Sequence, residues 1–314
     1  MKDFPSCFGE NGVQVADFSS SNTSGSSGNY NSRAAPPPQN AVASIYQCKF
    51  HTKPCWITVT WIKNLMGQTL TVGIDDDDGN NTNQSLCKMD IKPWLFSKKK
   101  GSKVLEADSF RIDVYWDLSS AKFGSGPEPI EGFYVGIVFE KEMVLVLGDL
   151  RKEALKRTNC TPSLSRSVVL VSKREHIFGK KVFTTKAKFS DFTPAHDLAI
   201  ECDNSMDEPF LAIRLDSKLV VHVKRLRWKF RGNDTIRVDG VDVEVFWDVH
   251  NWLFGTTSFG NGVFMFKTRD SCSGEKYSSR LDDVAVQCSW SQRLRDSRSE
   301  SVGFSLVLYA WKNE

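Results

Sequence analysis

Phe110-Arg111-Ile112-Asp113-Val114-Tyr115-Trp116-Asp117 and Val241-Asp242-Val243-Glu244-Val245-Phe246-Trp247-Asp248 decide the fold. Aligned, the two octapeptides disagree in character only at Arg111 against Asp242. Each has a period of two, the signature of a strand whose side chains alternate between faces. In the first, Ile112, Val114 and Trp116 form one face, and Arg111, Asp113, Tyr115 and Asp117 the other. In the second, Val241, Val243, Val245 and Trp247 are set against Asp242, Glu244, Phe246 and Asp248. One buried and one wetter face per strand is what an antiparallel sandwich or open barrel requires. A parallel sheet would need interleaved helices, and helical periodicity is scarce. The one short helix candidate is Leu150 to Arg157, with Asp149 placed as its N-cap.

The flanks of the two octapeptides match in the same order. Trp94-Leu95-Phe96 corresponds to Trp228-Lys229-Phe230, and Leu70 to Asp75 corresponds to Leu211 to Asp216. Gly132-Phe133-Tyr134-Val135 corresponds loosely to Gly262-Val263-Phe264-Met265. Four matches in one order predict an internal duplication. Further strand signals lie at Cys55 to Trp61, Leu70 to Ile74, Phe133 to Phe139 and Met143 to Leu147, separated by turn formers. The expected fold is all-β: two related antiparallel β-sandwich or open-barrel modules from an internal duplication, behind a disordered N-terminal segment. Residues 1–43 are a mostly disordered Ser/Asn/Pro-rich segment. Residues 44–150 are the first module, 151–167 a connector with a short helix, and 168–314 the second module. Within the N-terminal segment, Phe8, Val13, Val15 and Phe18 are spaced so that this stretch could dock.

Composition sets the bounds. The 314 residues are 40% hydrophobic and 25% charged, a globular balance with room for two cores. Formal net charge is only +3, from 41 basic and 38 acidic residues, so a polyanion site must be local. No apolar run approaches a membrane span, and the first residues lack the apolar core of a secretory signal. A cytoplasmic or nuclear location is expected. None of the eight cysteines forms a Cys-x-x-Cys pair, so free thiols are expected rather than a zinc ribbon.

Patterns that carry chemistry mostly fail. Asp75-Asp76-Asp77-Asp78-Gly79 is acidic, but counting from Asp75 the sixth residue is Asn80 and the twelfth Leu86, not the Gly and Glu of a calcium loop. Asp242 and Glu244 share a strand face roughly 7 Å apart, a spacing that catalytic carboxylates use but that wet strand faces also show. His176, His196, His222 and His250 are scattered without metal-ligand spacing. No nucleophile elbow, dinucleotide fingerprint or Walker loop occurs. No catalytic, cofactor-binding or metal residue is assigned, and no cofactor is expected. The stretch Arg293 to Ser301 reads as a polar loop, with phosphorylation as the alternative.

One charged feature stands out. Read as a strand, Val221 to Arg231 presents Arg225, Arg227, Lys229 and Arg231 on one face and Leu226, Trp228 and Phe230 on the other. The corresponding part of the first half carries Lys98, Lys99, Lys100 and Lys103. These eight residues are the candidate surface for an anionic, phosphate-bearing partner. The bland alternative is a solvated outer face whose cations discourage edge pairing. Nucleic acid is disfavoured, because the aromatic residues share a face with Leu226 and are expected to be buried.

The chain resembles a plant-specific family known as domain of unknown function 868. The resemblance is carried by Phe8 to Val15, Lys63 to Gln68, Asp90 to Lys98, Tyr115 to Phe123, Arg174 to Gly179 and Leu226 to Asn233. It implies a plant source and, with no activity, cofactor or site established for the family, a non-catalytic reading by default. The leading expectation is an interaction scaffold that presents a basic strand and loops to a protein or anionic partner. The alternative is a small-molecule or lipid-binding β-barrel, and the third an enzyme with an unrecognised site.

Overall fold

The computed structural model describes residues 40–50, 53–65, 67–76, 87–91, 99–107, 110–162, 168–189, 193–203, 208–255, 260–268 and 303–312. The Ser-rich segment with its Phe8 to Phe18 stretch, Asp77 to Gly79, Trp94 to Lys98 and Arg293 to Ser301 lie outside the described residues.

The first strands are β1 (Asn40–Phe50), β2 (Lys53–Asn64), β3 (Gly67–Asp76) and β4 (Cys87–Ile91), an antiparallel meander. Next come β5 (Lys100–Ala107), β6 (Phe110–Asp117), a small ribbon of β7 (Lys122–Phe123) and β8 (Pro129–Glu131), β9 (Tyr134–Phe139) and β10 (Glu142–Gly148). Helix α1 (Arg151–Thr158) and β11 (Thr161–Pro162) lead to the long β12 (Val169–Gly179). The rest comprises β13 (Val182–Ala187), β14 (His196–Asp203), β15 (Phe210–Leu215), β16 (Lys218–Val223), β17 (Arg231–Val238), β18 (Val241–Asp248), α2 (His250–Phe254), β19 (Asn261–Thr268) and β20 (Ser305–Lys312).

The sheets pair off around two cores. In the first, inward residues of β2 and β3 (Ile57, Val59, Leu70, Val72, Ile74) meet those of β6 and β9 (Ile112, Val114, Val135, Ile137). In the second, β14 and β15 (Leu198, Ile200, Leu211, Ile213) meet β18 to β20 (Val243, Val245, Phe264, Phe266, Leu306, Leu308). Fully burying each such side chain stabilises by about 1.5–3 kcal/mol. The alternation read in the octapeptides holds in β6: Ile112, Val114 and Trp116 are buried while Arg111 is exposed. In β18 the wetter face closes toward its end, where Phe246 and Asp248 are buried too.

The expected all-β class is what the structure shows: the strands form several sheets, and none closes into a barrel. Strand order is β17-β18-β19-β20-β12-β1-β2-β3-β4 in a nine-stranded sheet, β11-β10-β9-β6-β5 in a second and β13-β14-β15-β16 in a third. At the middle of the nine, β12 pairs antiparallel with β1 and parallel with β20. The parallel seam departs from the purely antiparallel expectation. Beside it, Trp311 Nε1–H donates to His176 Nδ1 at 3.1 Å, and burial pushes the His176 imidazole down to about 4.

Asp149 does not cap α1, whose N-cap is Leu150 without a side-chain bond. Its carboxylate instead accepts the N–H groups of Gly132 at 2.8 Å and Phe133 at 3.1 Å, tying β10 to the β9 entry. Helix α1 lays Ala154 and Leu155 against Tyr134, Val138 and Met143 on the outer face of the second sheet.

The two Trp-Asp strands share local geometry. Trp116 is paired across the sheet with Gly101 and Trp247 with Gly232. Lys100 bridges Asp117 at 2.6 Å and Arg231 bridges Asp248 at 2.7 Å. Each carboxylate also accepts an N–H two residues on, from Ser119 and His250. On the far side Trp116 pairs with Val135 but Trp247 pairs with Phe264, so the loose match at Gly132 and Gly262 is offset by one residue.

Candidate interaction surface

Strand β16 stops at Val223, and the segment to Phe230 is a tight turn, not the strand that its alternating sequence suggests. Arg225 takes φ 56°, in the left-handed region. Its carbonyl then accepts the N–H groups of both Trp228 at 2.9 Å and Lys229 at 3.2 Å. Leu226 alone points inward, fully buried, with its N–H on the Pro209 carbonyl at 3.0 Å. The far end is pinned as well: the Lys229 carbonyl accepts Trp247 Nε1–H at 3.0 Å, and the Phe230 carbonyl accepts Val249 N–H at 2.9 Å.

The consequence corrects the sequence reading. A strand would have turned Trp228 inward beside Leu226; the turn leaves it 86% exposed. Lys224, Arg225, Arg227 and Lys229, which flank it in sequence, are exposed as well. Among the described residues no carboxylate pairs with any of these four cations. Arg231 differs, being held by Asp248 with its guanidinium 5.5 Å from the Phe230 ring centre. Phe230 in turn meets Phe254 at 5.7 Å and His250 at 5.3 Å, and Phe254 is 47% exposed.

Lys100 and Lys103 sit on β5, the edge of the second sheet, with Lys99 just before it, whereas β17 is the edge of the nine-stranded sheet. Lys99 and Lys103 are exposed, Lys100 is engaged with Asp117, and Lys98 lies outside the described residues. Asp242 and Glu244 sit opposite Arg237 and Thr235 on the β17–β18 hairpin.

His196 is engaged on both sides. His196 Nδ1 contacts Asp216 at 2.6 Å and Nε2 contacts Asp239 at 2.8 Å. The Asp216 carboxylate, with Asp239 behind it, outweighs desolvation and holds the imidazole above its usual range. Because its two nitrogens face different carboxylates, the trio does not converge on one point. No group of three or more potential metal ligands occurs among the described residues. Cys48, Cys55, Cys160 and Cys202 are free thiols, and burial pushes the Cys202 thiol up to about 11, far from a nucleophile's range.

Two features escaped the sequence. Lys173 on β12 lies 2.9 Å from both Glu128 and Glu175. Burial pushes its amine down, but the two carboxylates outweigh that and hold it well above the usual lysine range. Nearby, Ser44, Tyr46, Val59, Trp61, Glu128 and Phe133 line a cleft of about 230 Å³. Neither has a local motif, since their residues come together only through the sheet pairing.

No helix among the described residues is long and apolar enough to cross a membrane. No curated protein and no solved structure matches the chain. Residues 37–312 match the family described as plant protein of unknown function (DUF868), and the chain belongs to that family.

Proposed function

We propose that the protein is a non-catalytic scaffold that binds an anionic, phosphate-bearing partner through the Lys224–Arg231 turn. One observation carries this reading: four exposed cations without carboxylate partners among the described residues flank in sequence a Trp left 86% exposed on a pinned turn. A Trp held out on ordered backbone offers a large apolar face and one N–H, the combination that enriches this residue at interfaces. Arg225, Arg227 and Lys229 supply the charge. Arg231 and Lys100 contribute less, because each already holds an Asp. Lys103 on β5 and Lys99 just before it offer a separate basic site. The shared hairpin geometry of the two Trp-Asp strands supports descent of both halves from one duplicated module.

Retention of the full chain on a phosphate-bearing matrix tests the reading. The double variant Arg225→Glu, Arg227→Glu is expected to elute at clearly lower salt than the parent, since each neutralised phosphate contact steepens the salt dependence. Equal elution of the two would refute the role of the turn.

The cleft at Tyr46, Trp61 and Phe133 favours small-molecule binding as a second reading. Its 230 Å³ is below the roughly 300–1,000 Å³ of ordinary ligand pockets. Native mass spectrometry of protein from plant cells should then show a small added mass that is lost on denaturation.

A further inference from the structure

We infer that the anionic partner of the Lys224–Arg231 turn is the surface of a lipid bilayer rich in acidic headgroups. The inference rests on the scaffold reading and narrows it. Trp228 stands clear of its neighbours at 86% exposure, and Phe254 is the next exposed aromatic among the described residues, linked to the turn through its contact with Phe230. Trp has an apolar body and one N–H, and settles at the headgroup level of a membrane. Lys224, Arg225, Arg227 and Lys229 flank it in sequence. At an anionic leaflet each such residue contributes roughly fivefold in affinity.

Other partners fit less well. A protein interface dehydrates its centre, and lysine is depleted there; four cations that have no carboxylate partner among the described residues would be costly in such a setting. At a headgroup layer they stay hydrated while they meet phosphate. Binders of single-stranded nucleic acid use a basic groove with successive stacking aromatics. Here a single Trp stands on a turn, and the cleft at Tyr46, Trp61 and Phe133 lies elsewhere and carries Glu128. The anchoring of Leu226 and the hydrogen bonds at Arg225, Lys229 and Phe230 fix the turn beforehand, so little ordering entropy is lost on docking.

The test is co-sedimentation of the full-length protein with vesicles of phosphatidylcholine alone and with added phosphatidylserine or phosphatidylinositol 4-phosphate. Binding is expected only with acidic lipid. Arg225→Glu, Arg227→Glu should weaken it roughly a hundredfold, since two attractive charges become repulsive. Trp228→Ala should weaken it roughly tenfold. Lys152→Glu on α1 should leave it unchanged, and circular dichroism should show every variant folded. Bromine-labelled lipid should quench the parent more than Trp228→Phe. Equal binding by Trp228→Ala and the parent overturns the inference. Failure to bind any vesicle, while the parent still depends on Arg225 and Arg227 for retention on the phosphate matrix or for binding single-stranded RNA, overturns the membrane but leaves the scaffold reading. Loss of both dependences overturns both.

Discussion

The β5–β6 and β17–β18 hairpins are built alike and buried differently. Both set a glycine against a Trp and close with a basic residue on an Asp. In the first pair Lys100 is 54% exposed and Asp117 15%; in the second Arg231 is 28% and Asp248 5%. Burial pushes the Asp117 carboxyl up, but hydrogen bonds from Lys100 and Ser119 outweigh it and leave it below the usual carboxylate range. One local device thus serves as a surface tether in one half and as an interior strut in the other. The largest expected effect follows from that difference. Asp248→Ala leaves a half-buried guanidinium unpaired and should cost about 3 kcal/mol. Asp117→Ala only frees a solvated lysine and should cost about 1 kcal/mol. Chemical denaturation of the two variants measures both; equal losses would mean that depth does not set the value of the pair.

The glycines sharpen the likeness. A Cβ on Gly101 would come within 2.5 Å of the Trp116 ring, and one on Gly232 within 2.4 Å of the Trp247 ring. Both rings are buried, at 9% and 6% exposure, so neither can swing into solvent. Gly101→Ala and Gly232→Ala should therefore each cost about 2 kcal/mol through overpacking. The Gly232 variant should lose slightly more, because Trp247 is also fastened to the Lys229 carbonyl. A harmless Gly232→Ala would show that the ring can shift, and the two hairpins would then differ in rigidity as well as depth. Thermal unfolding of both variants decides between these outcomes.

Much of this frame was legible in the octapeptides, since a period of two writes the buried face of β6 directly into the sequence. The seam was not. Strand β12 joins β1 to β20 across more than a hundred residues, and no local pattern announces a parallel partner so distant. The basic segment was legible in its charges and misread in its shape. Lys224-Arg225-Leu226-Arg227-Trp228-Lys229-Phe230-Arg231 mimics a strand after its first residue. The adjacent cations Lys224 and Arg225 were the available sign that alternation breaks there, because one of them would have had to face the core. With the left-handed turn at Arg225, Trp228 changed from an expected core residue into the most exposed aromatic among the described residues.

The smallest expected effect again separates the two halves. His196 at the start of β14 joins the β15–β16 turn at Asp216 to the β17–β18 turn at Asp239, fastening the two sheets of the second core. No matching histidine bridge joins the sheets of the first core among the described residues. With its proton affinity raised in the fold, His196 contributes stability that is complete below the unfolded value of about 6.5. That contribution fades as pH rises through the higher folded value, because a neutral imidazole donates to only one of the two carboxylates. The loss should be about 1 kcal/mol, since Asp216 and Asp239 are partly solvated. Hydrogen exchange should show β14, β15 and β18 opening faster above neutrality while β2, β3 and β6 do not change, and His196→Asn should abolish the contrast. If both cores respond alike, the bridge does not set the pH response, and the asymmetry between the halves is confined to their Trp-Asp hairpins.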